Sequence, residues 1–203
     1  SGGSRGIGAA IASRFAGDGH RVANLSRSGQ GAANAGLAVP CDVTDSASVD
    51  LAVKQAAEAN GPVEVLIANA GITDDKLMLR MGEDSFVDVL DTNLTGAFLT
   101  TNASLPLLAA DAHLIYLGAP SALMLRPGLA AYAAAKAGLE TFATVVALEE
   151  PQRRVSFVRI GNLASPQWGK IGEKPPPGAA QPDEVAAKIL AAWHSGHQGT
   201  LDL

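Results

Sequence analysis

The chain is poor in cysteine, in aromatics and in long apolar runs, and each shortage excludes something. Cys41 is the single cysteine among 203 residues. No intrachain disulfide framework and no cysteine-built metal site can form, and no metal ligand set is expected. A lone thiol fits a reducing compartment, so a cytoplasmic location is expected. Aromatic residues make up 4% of the chain, while alanine and glycine abound. That balance suits helices packed closely on a sheet. No apolar run approaches the roughly 20 residues of a membrane span, so no membrane partner is expected. The net charge of -5 gives no sign of the basic face that nucleic-acid binding needs, so no nucleic-acid partner is expected either.

What the chain does have is alternation. Short apolar runs take turns with helical patterns, and such alternation argues for βαβ units and a parallel sheet within one α/β domain over residues 1–203. Helical spacing follows Ile7, Ile11 and Phe15. Strands are expected over 21–25, 37–41, 63–68, 113–117 and 155–160, with a closing strand over 200–203. Asp45 is placed to cap a helix over 47–59, and Gly61-Pro62 to end it. Long helices are expected over 83–108 and 128–148, and a last one opens at Pro182-Asp183. Residues 161–182, with Trp168 and a run of three prolines, read as a loop beside the site.

Gly2, Gly6 and Gly8 have the spacing G-x-x-x-G-x-G. Glycines there let backbone approach a pyrophosphate where a Cβ would collide. The helix that follows points free N–H groups at the phosphates. A loop of this kind normally follows a strand, so a strand is expected upstream of Ser1. Arg27 ends a strand where an NAD-binding fold places an acid for the ribose 2′-hydroxyl. No Asp or Glu lies between Arg21 and Asn34, and Arg5 projects from the glycine loop. Two cations there suit the 2′-phosphate of NADP. Asp42 after the next strand either accepts from adenine or caps the next turn.

Five motifs now stand in order: Ser1-Gly2-Gly3-Ser4-Arg5-Gly6-Ile7-Gly8, Cys41-Asp42-Val43-Thr44-Asp45, Asn69-Ala70-Gly71, Asn93-Leu94-Thr95-Gly96 and Tyr132-Ala133-Ala134-Ala135-Lys136. Together they resemble the short-chain dehydrogenases/reductases. The stretches 75–81 and 93–98 look most like bacterial β-ketoacyl-acyl-carrier-protein reductases. The resemblance covers 1 to about 160 and implies a Rossmann-type doubly wound parallel sheet in three αβα layers. It implies NADP(H) held by Gly2, Ser4, Arg5, Gly6, Ile7, Gly8, Arg27, Asp42, Val43, Asn69, Ala70, Gly71, Tyr132 and Lys136. It also implies a small carbonyl or acyl-thioester substrate, and a homodimer or homotetramer paired through the two long helices. An acidic acyl carrier protein would need a basic patch, for which Arg80, Arg126, Arg153 and Arg154 are available.

Tyr132 and Lys136 lie four apart, on one face of a helix. A tyrosine of ordinary pKa, about 10, is a poor acid–base at neutral pH. A nearby ammonium is expected to lower that pKa, so that Tyr132 protonates a carbonyl oxygen as hydride arrives. The resemblance has Lys136 hold the nicotinamide ribose, and has Asn93 distort its helix and anchor a water in a proton relay to the lysine. It has Asn69 steady the sheet. Two departures stand against this. The family's catalytic serine is replaced by Ala119, and Ser121 is the candidate substitute if the chain stays extended past Pro120. The family's Pro-Gly pair over the nicotinamide is replaced by Gly161-Asn162-Leu163. The expected function is an NADPH-dependent carbonyl reductase, with an impaired, NADP(H)-binding or assembly protein as the alternative.

Overall fold

The computed structural model describes residues 1–32, 34, 36–164 and 174–203. Trp168 and the middle of the loop over 161–182 lie outside the described residues. Helix α1 spans Gly6–Gly17, followed by β1 (Ala23–Ser26) and β2 (Leu37–Pro40). Then come α2 (Ser46–Asn60), β3 (Val63–Ala68), α3 (Glu83–Leu90) and α4 (Gly96–Ser104). Strand β4 (Leu108–Gly118) leads to a single turn, α5 (Ser121–Met124), and to α6 (Ala130–Glu149). The chain closes with β5 (Arg154–Arg159), α7 (Pro182–His194) and β6 (Gly199–Asp202).

Local chemistry sets the boundaries. Asp45 accepts from Ala47 N–H and starts α2, and Gly61 at φ 85° stops it, a conformation that L side chains rarely adopt. Gln181 and Glu184 form a reciprocal cap at the start of α7, with Pro182 in its first turn.

All strand pairs are parallel. β3, β4, β5 and β6 form one sheet in that order, and β1 pairs with β2 in a separate two-stranded sheet. Buried residues alternate along β4 between two helical layers. Leu114 and Tyr116 join Leu139, Ala143 and Val146 of α6 on one face. Ile115 and Leu117 join Ile11 and Phe15 of α1 and Val185 and Ile189 of α7 on the other. Both faces are covered, as a parallel sheet requires. Space on the first face is tight, since a Cβ at Gly118 would lie 2.0 Å from the Phe157 ring. Between the facing edges of β1 and β3 lies a cavity of about 450 Å³.

Three expectations need correction. The helix expected over 83–108 is not continuous: a wide π-type turn, Asp91–Thr95, separates α3 from α4, and a short 3-10 turn at Leu105–Leu107 ends it. Asn93 sits inside the wide turn, where its side chain takes the Val89 carbonyl. β4 starts at Leu108, five residues before the expected His113. Finally, the chain does not stay extended past Pro120. Ser121 begins α5 and is exposed, so it does not continue the line of β4.

Candidate active site

The carboxyl ends of parallel strands are where an open α/β sheet gathers ligands. Here the ends of β3 and β4 collect most of the residues that the sequence singled out. Asn69, just past β3, donates from Nδ2 to the Ser1 and Gly2 carbonyls at 2.9 and 3.2 Å. Its own N–H and that of Ala70 reach the Ser1 hydroxyl. The glycine loop is therefore fastened to the end of β3 by one asparagine and two backbone donors.

The glycines of that loop serve different ends. A Cβ at Gly8 would lie 2.2 Å from the Gly2 carbonyl oxygen, and one at Gly3 2.0 Å from Asn24 Oδ1. Those two are demanded by packing. Gly6 has φ +56° with nothing within 4 Å of where a Cβ would point. It turns the backbone and leaves its open side to a ligand. Helix α1 begins at Gly6 with no side-chain cap, and Ile7 lies in its first turn. Its first N–H groups are free to meet an anion. Ser4 lies within the same loop.

Arg5 and Arg27 are exposed, and neither has an ion-pair partner among the described residues. Arg27 follows β1 directly, and its charge is one of the influences that lower the Asp42 carboxyl. The main cause is local: Thr44 N–H and hydroxyl both donate to Asp42 Oδ1, at 3.0 and 2.8 Å. Asp42 thus holds its own turn, and Oδ2 remains for another partner. Val43 beside it is buried in the small core under β1 and β2, against which Ala70 is packed.

On α6, Tyr132 and Lys136 stack one turn apart, with the ammonium 5.8 Å from the ring centroid. Lys136 is buried and donates to the Leu117 carbonyl at 2.8 Å, which ties it to the end of β4. Burial lowers its pKa to about 8. The Tyr132 phenol does not behave as expected. Burial, with the charge of Asp75 adding to it, pushes its pKa up to about 12, because desolvation of the phenolate outweighs any help from the ammonium. The group is held as a phenol.

Asn93 is buried and donates from Nδ2 to Ile72 O and Val89 O, both at 2.8 Å. Its Oδ1 is buried without a partner and lies 2.5 Å from where a Cβ on Gly71 would be. A side chain at 71 would crowd that oxygen. Ala119, at the end of β4, is buried and carries no donor. Ser121, two residues on, is exposed and opens α5.

The four arginines considered for a carrier patch are not brought together at this edge. Arg153 pairs with Glu150 at 2.5 Å and Arg154 donates to the Trp193 carbonyl. Both precede or open β5, at the opposite end of the sheet from the site. Arg126 faces Asp75 at 4.0 Å.

One group that sequence reasoning did not single out is Asp18, His20 and His194, whose ligand atoms lie within 4.8 Å of one another. Both imidazoles meet Asp18 Oδ2, at 3.1 and 2.8 Å, and link the end of α1 to the end of α7. His194 is remote in sequence from the other two, so no local spacing could have revealed the cluster.

Comparison with known proteins gives the family. A model described as short chain dehydrogenase matches residues 1–175. The 3-oxoacyl-[acyl-carrier-protein] reductase MabA of Mycobacterium avium is 44% identical over 150 residues, covering 73% of this chain and 58% of that protein. The 3-oxoacyl-[acyl-carrier-protein] reductase FabG of Escherichia coli is 36% identical over 208 residues, covering 98% and 82%. The chain thus spans less than two thirds of the Mycobacterium avium protein. Among solved structures, an alcohol dehydrogenase of the archaeon Thermococcus sibiricus complexed with 5-hydroxy-NADP superposes with a TM-score of 0.86 at 26% identity, covering 98% of this chain and 92% of that one. A short chain dehydrogenase of Burkholderia cenocepacia in complex with NADP gives 0.84 at 26% identity, covering 100% and 93%. With a parallel sheet covered by helices on both faces, and a family model matched over most of its length, the chain belongs to the short chain dehydrogenase family.

Proposed function

We propose that this protein is an NADPH-dependent carbonyl reductase acting on a small ketone or a 3-oxoacyl thioester. The observation that carries this reading is Tyr132 above a buried Lys136 on α6, with the lysine tied to the end of β4. The reading is supported by relatives named as 3-oxoacyl-[acyl-carrier-protein] reductases.

The residues present fit a dinucleotide carrying a 2′-phosphate. Gly6 offers an open turn, α1 offers uncapped N–H groups, and Arg5 and Arg27 offer charge without an ion-pair partner among the described residues. NADPH, once bound, supplies the hydride. Tyr132 gives its phenolic proton to the carbonyl oxygen, so the ketone gains one hydride and one proton and becomes an alcohol. A phenol held neutral by burial is in the right form to donate. Lys136, with a pKa of about 8, is largely an ammonium at neutral pH and stabilises the phenolate left behind. The free Oδ1 of Asn93 is available to accept from a water on the route that returns the proton.

Ala119 favours a second reading. It leaves the substrate oxygen one donor short, and such a loss costs roughly 3–4 kcal/mol, or about 10²–10³ in rate. On that reading the protein binds NADP(H) and turns over slowly or not at all, serving as an assembly or sensing subunit. Exposed Phe98 on α4 and Val145 and Leu148 on α6 support pairing of copies through these helices as a dimer or tetramer. A single buried thiol, Cys41, agrees with a cytoplasmic setting.

The test is NADPH oxidation over a panel of ketones and 3-oxoacyl thioesters. Turnover that disappears in Tyr132→Phe while NADPH still binds supports the reductase. Tight NADPH binding with no turnover on any substrate supports the second reading.

A further inference from the structure

The group formed by Asp18, His20 and His194 lies away from the site described above. Asp18 and His20 fall between α1 and β1, and His194 ends α7 shortly before β6. Both helices end here, at the edge where strands begin. Asn69, Lys136 and Ala119 gather at the opposite edge, where strands end. Core packing brings the two helices together, since Ile11 and Phe15 of α1 share one apolar cluster with Val185 and Ile189 of α7. The carboxyl ends of two helices thus meet at one place, and each carries the partial negative charge of its last carbonyls. A cation is favoured there.

The side chains supply a donor set. His20 Nε2 lies 3.1 Å and His194 Nε2 2.8 Å from the same carboxylate oxygen, Asp18 Oδ2. All three ligand atoms lie within 4.8 Å of one another. Around a tetrahedral zinc ion, with bonds of about 2.0–2.1 Å, ligand atoms stand about 3.3 Å apart. Small side-chain rotations therefore take the trio from hydrogen bonding to coordination. The rings are braced for this. Trp193 meets the His20 ring edge-on at 4.6 Å and the His194 ring at 4.8 Å, and Phe15 lies 5.7 Å from His20. Arg14, one turn before Asp18, pairs with Asp183 instead, so it does not occupy the Asp18 carboxylate. The His194 side chain is half exposed, which leaves room for water at the remaining coordination position.

We propose that Asp18, His20 and His194 form a site for a divalent ion of the zinc class, held by two imidazole nitrogens and one carboxylate oxygen, with water completing the shell. Imidazole suits zinc and its neighbours among the transition metals, whereas magnesium and calcium take oxygen ligands. The neutral imidazoles turn their Nε2 lone pairs to the ion and carry their protons on Nδ1. The ion ties the end of α1 to the end of α7, across 176 residues of sequence. It fastens α7, and through it the edge strand β6, to the body of the fold, and it touches neither substrate nor nucleotide.

The experiment titrates Zn²⁺, Co²⁺ and Mg²⁺ into the full chain and into His194→Ala and Asp18→Asn, read by calorimetry, visible absorption and thermal midpoint. Both positions are exposed, so neither variant opens the core. One zinc ion is expected per chain, with magnesium far weaker. Either variant should weaken zinc by at least about 10-fold, since loss of a ligand's outer partner alone costs about 10–100-fold. At a hundredfold excess over its Kd, zinc should raise the midpoint of the native chain by about 5–10 °C and move that of His194→Ala much less. Bound Co²⁺ should show the visible bands of a nitrogen and oxygen site without the near-ultraviolet band of a thiolate ligand, which separates this trio from Cys41. No zinc binding, zinc binding that either variant retains in full, or magnesium binding as tight as zinc overturns the proposal. None of these readouts involves NADPH, so the outcome is independent of the reductase reading.

Discussion

The two sheets carry different halves of the candidate site and rest on different foundations. The four-stranded sheet holds Asn69, Lys136 and Ala119 at its carboxyl edge, and its strands β4 and β5 are buried on both faces. The two-stranded sheet, with strands of four residues, leads to Arg27 and Asp42. An isolated pair of strands is marginal in water. This pair depends on α2 packed beneath it and on Asn24 and Leu25 meeting the glycine loop. The half with the candidate catalytic residues thus rests on strands buried on both faces, and the half suited to the nucleotide's phosphate end rests on its neighbours. A change at Ala119 in the first should alter chemistry and spare binding. A change in the second should do the reverse.

The largest expected effect is at the carboxyl edge of the four-stranded sheet. Ala119→Ser restores a donor at a buried position and should raise kcat by about 10²–10³, with little change in NADPH affinity. Steady-state kinetics and a binding titration check both halves of that statement. An equal shift in affinity would break the separation.

The amino half of the same strand gives a stability prediction without catalytic consequence. His113 is fully buried, with Nε2 on Ser156 Oγ at 2.8 Å. Burial, helped by the charges of Arg154 and His197, lowers its pKa from 6.5 to about 4. The unfolded chain takes up a proton below its ordinary value, and the folded chain does so only near 4. Stability is thus intact above 6.5 and is lost as pH falls from 6.5 towards 4, by up to about 3 kcal/mol. His113→Gln should flatten that limb of a urea-unfolding profile against pH, while leaving the nucleotide affinity alone.

The smallest effect belongs to the two-stranded sheet. Arg27→Glu should weaken NADPH by about ten- to a hundred-fold, the worth of one charged hydrogen bond, and leave NADH nearly unchanged. Competition between the two nucleotides reads this directly. A loss shared by both would place Arg27 in the fold rather than at the 2′-phosphate.

Much of this arrangement was legible in the sequence, where the signal was local. The glycine loop, the Asp45 cap and Gly61 stop of α2, strand β3 and the Tyr132–Lys136 spacing all depend on residues within one turn or one strand. The break in the helix at Asp91–Thr95 was not legible as a boundary, since the apolar pattern runs on through a π-type turn. The turn into α5 at Ser121 was not legible because Pro120 favours extended geometry at Ala119 and does not govern the residues after it. The direction of the Tyr132 shift depends on how deeply the fold buries the ring, which spacing alone does not tell. The Asp18, His20 and His194 group needs α1 and α7 side by side.

The central claim is that Tyr132 protonates a carbonyl as that carbon accepts hydride. Its most direct measurement is a single turnover with NADPH deuterated at the transferring position of its nicotinamide, in the native protein and in Tyr132→Phe, with mass analysis of the product. The native protein should place one deuterium on the new carbinol carbon, and the variant should bind the nucleotide equally well and yield almost no labelled alcohol. Equal label in both products would contradict the account.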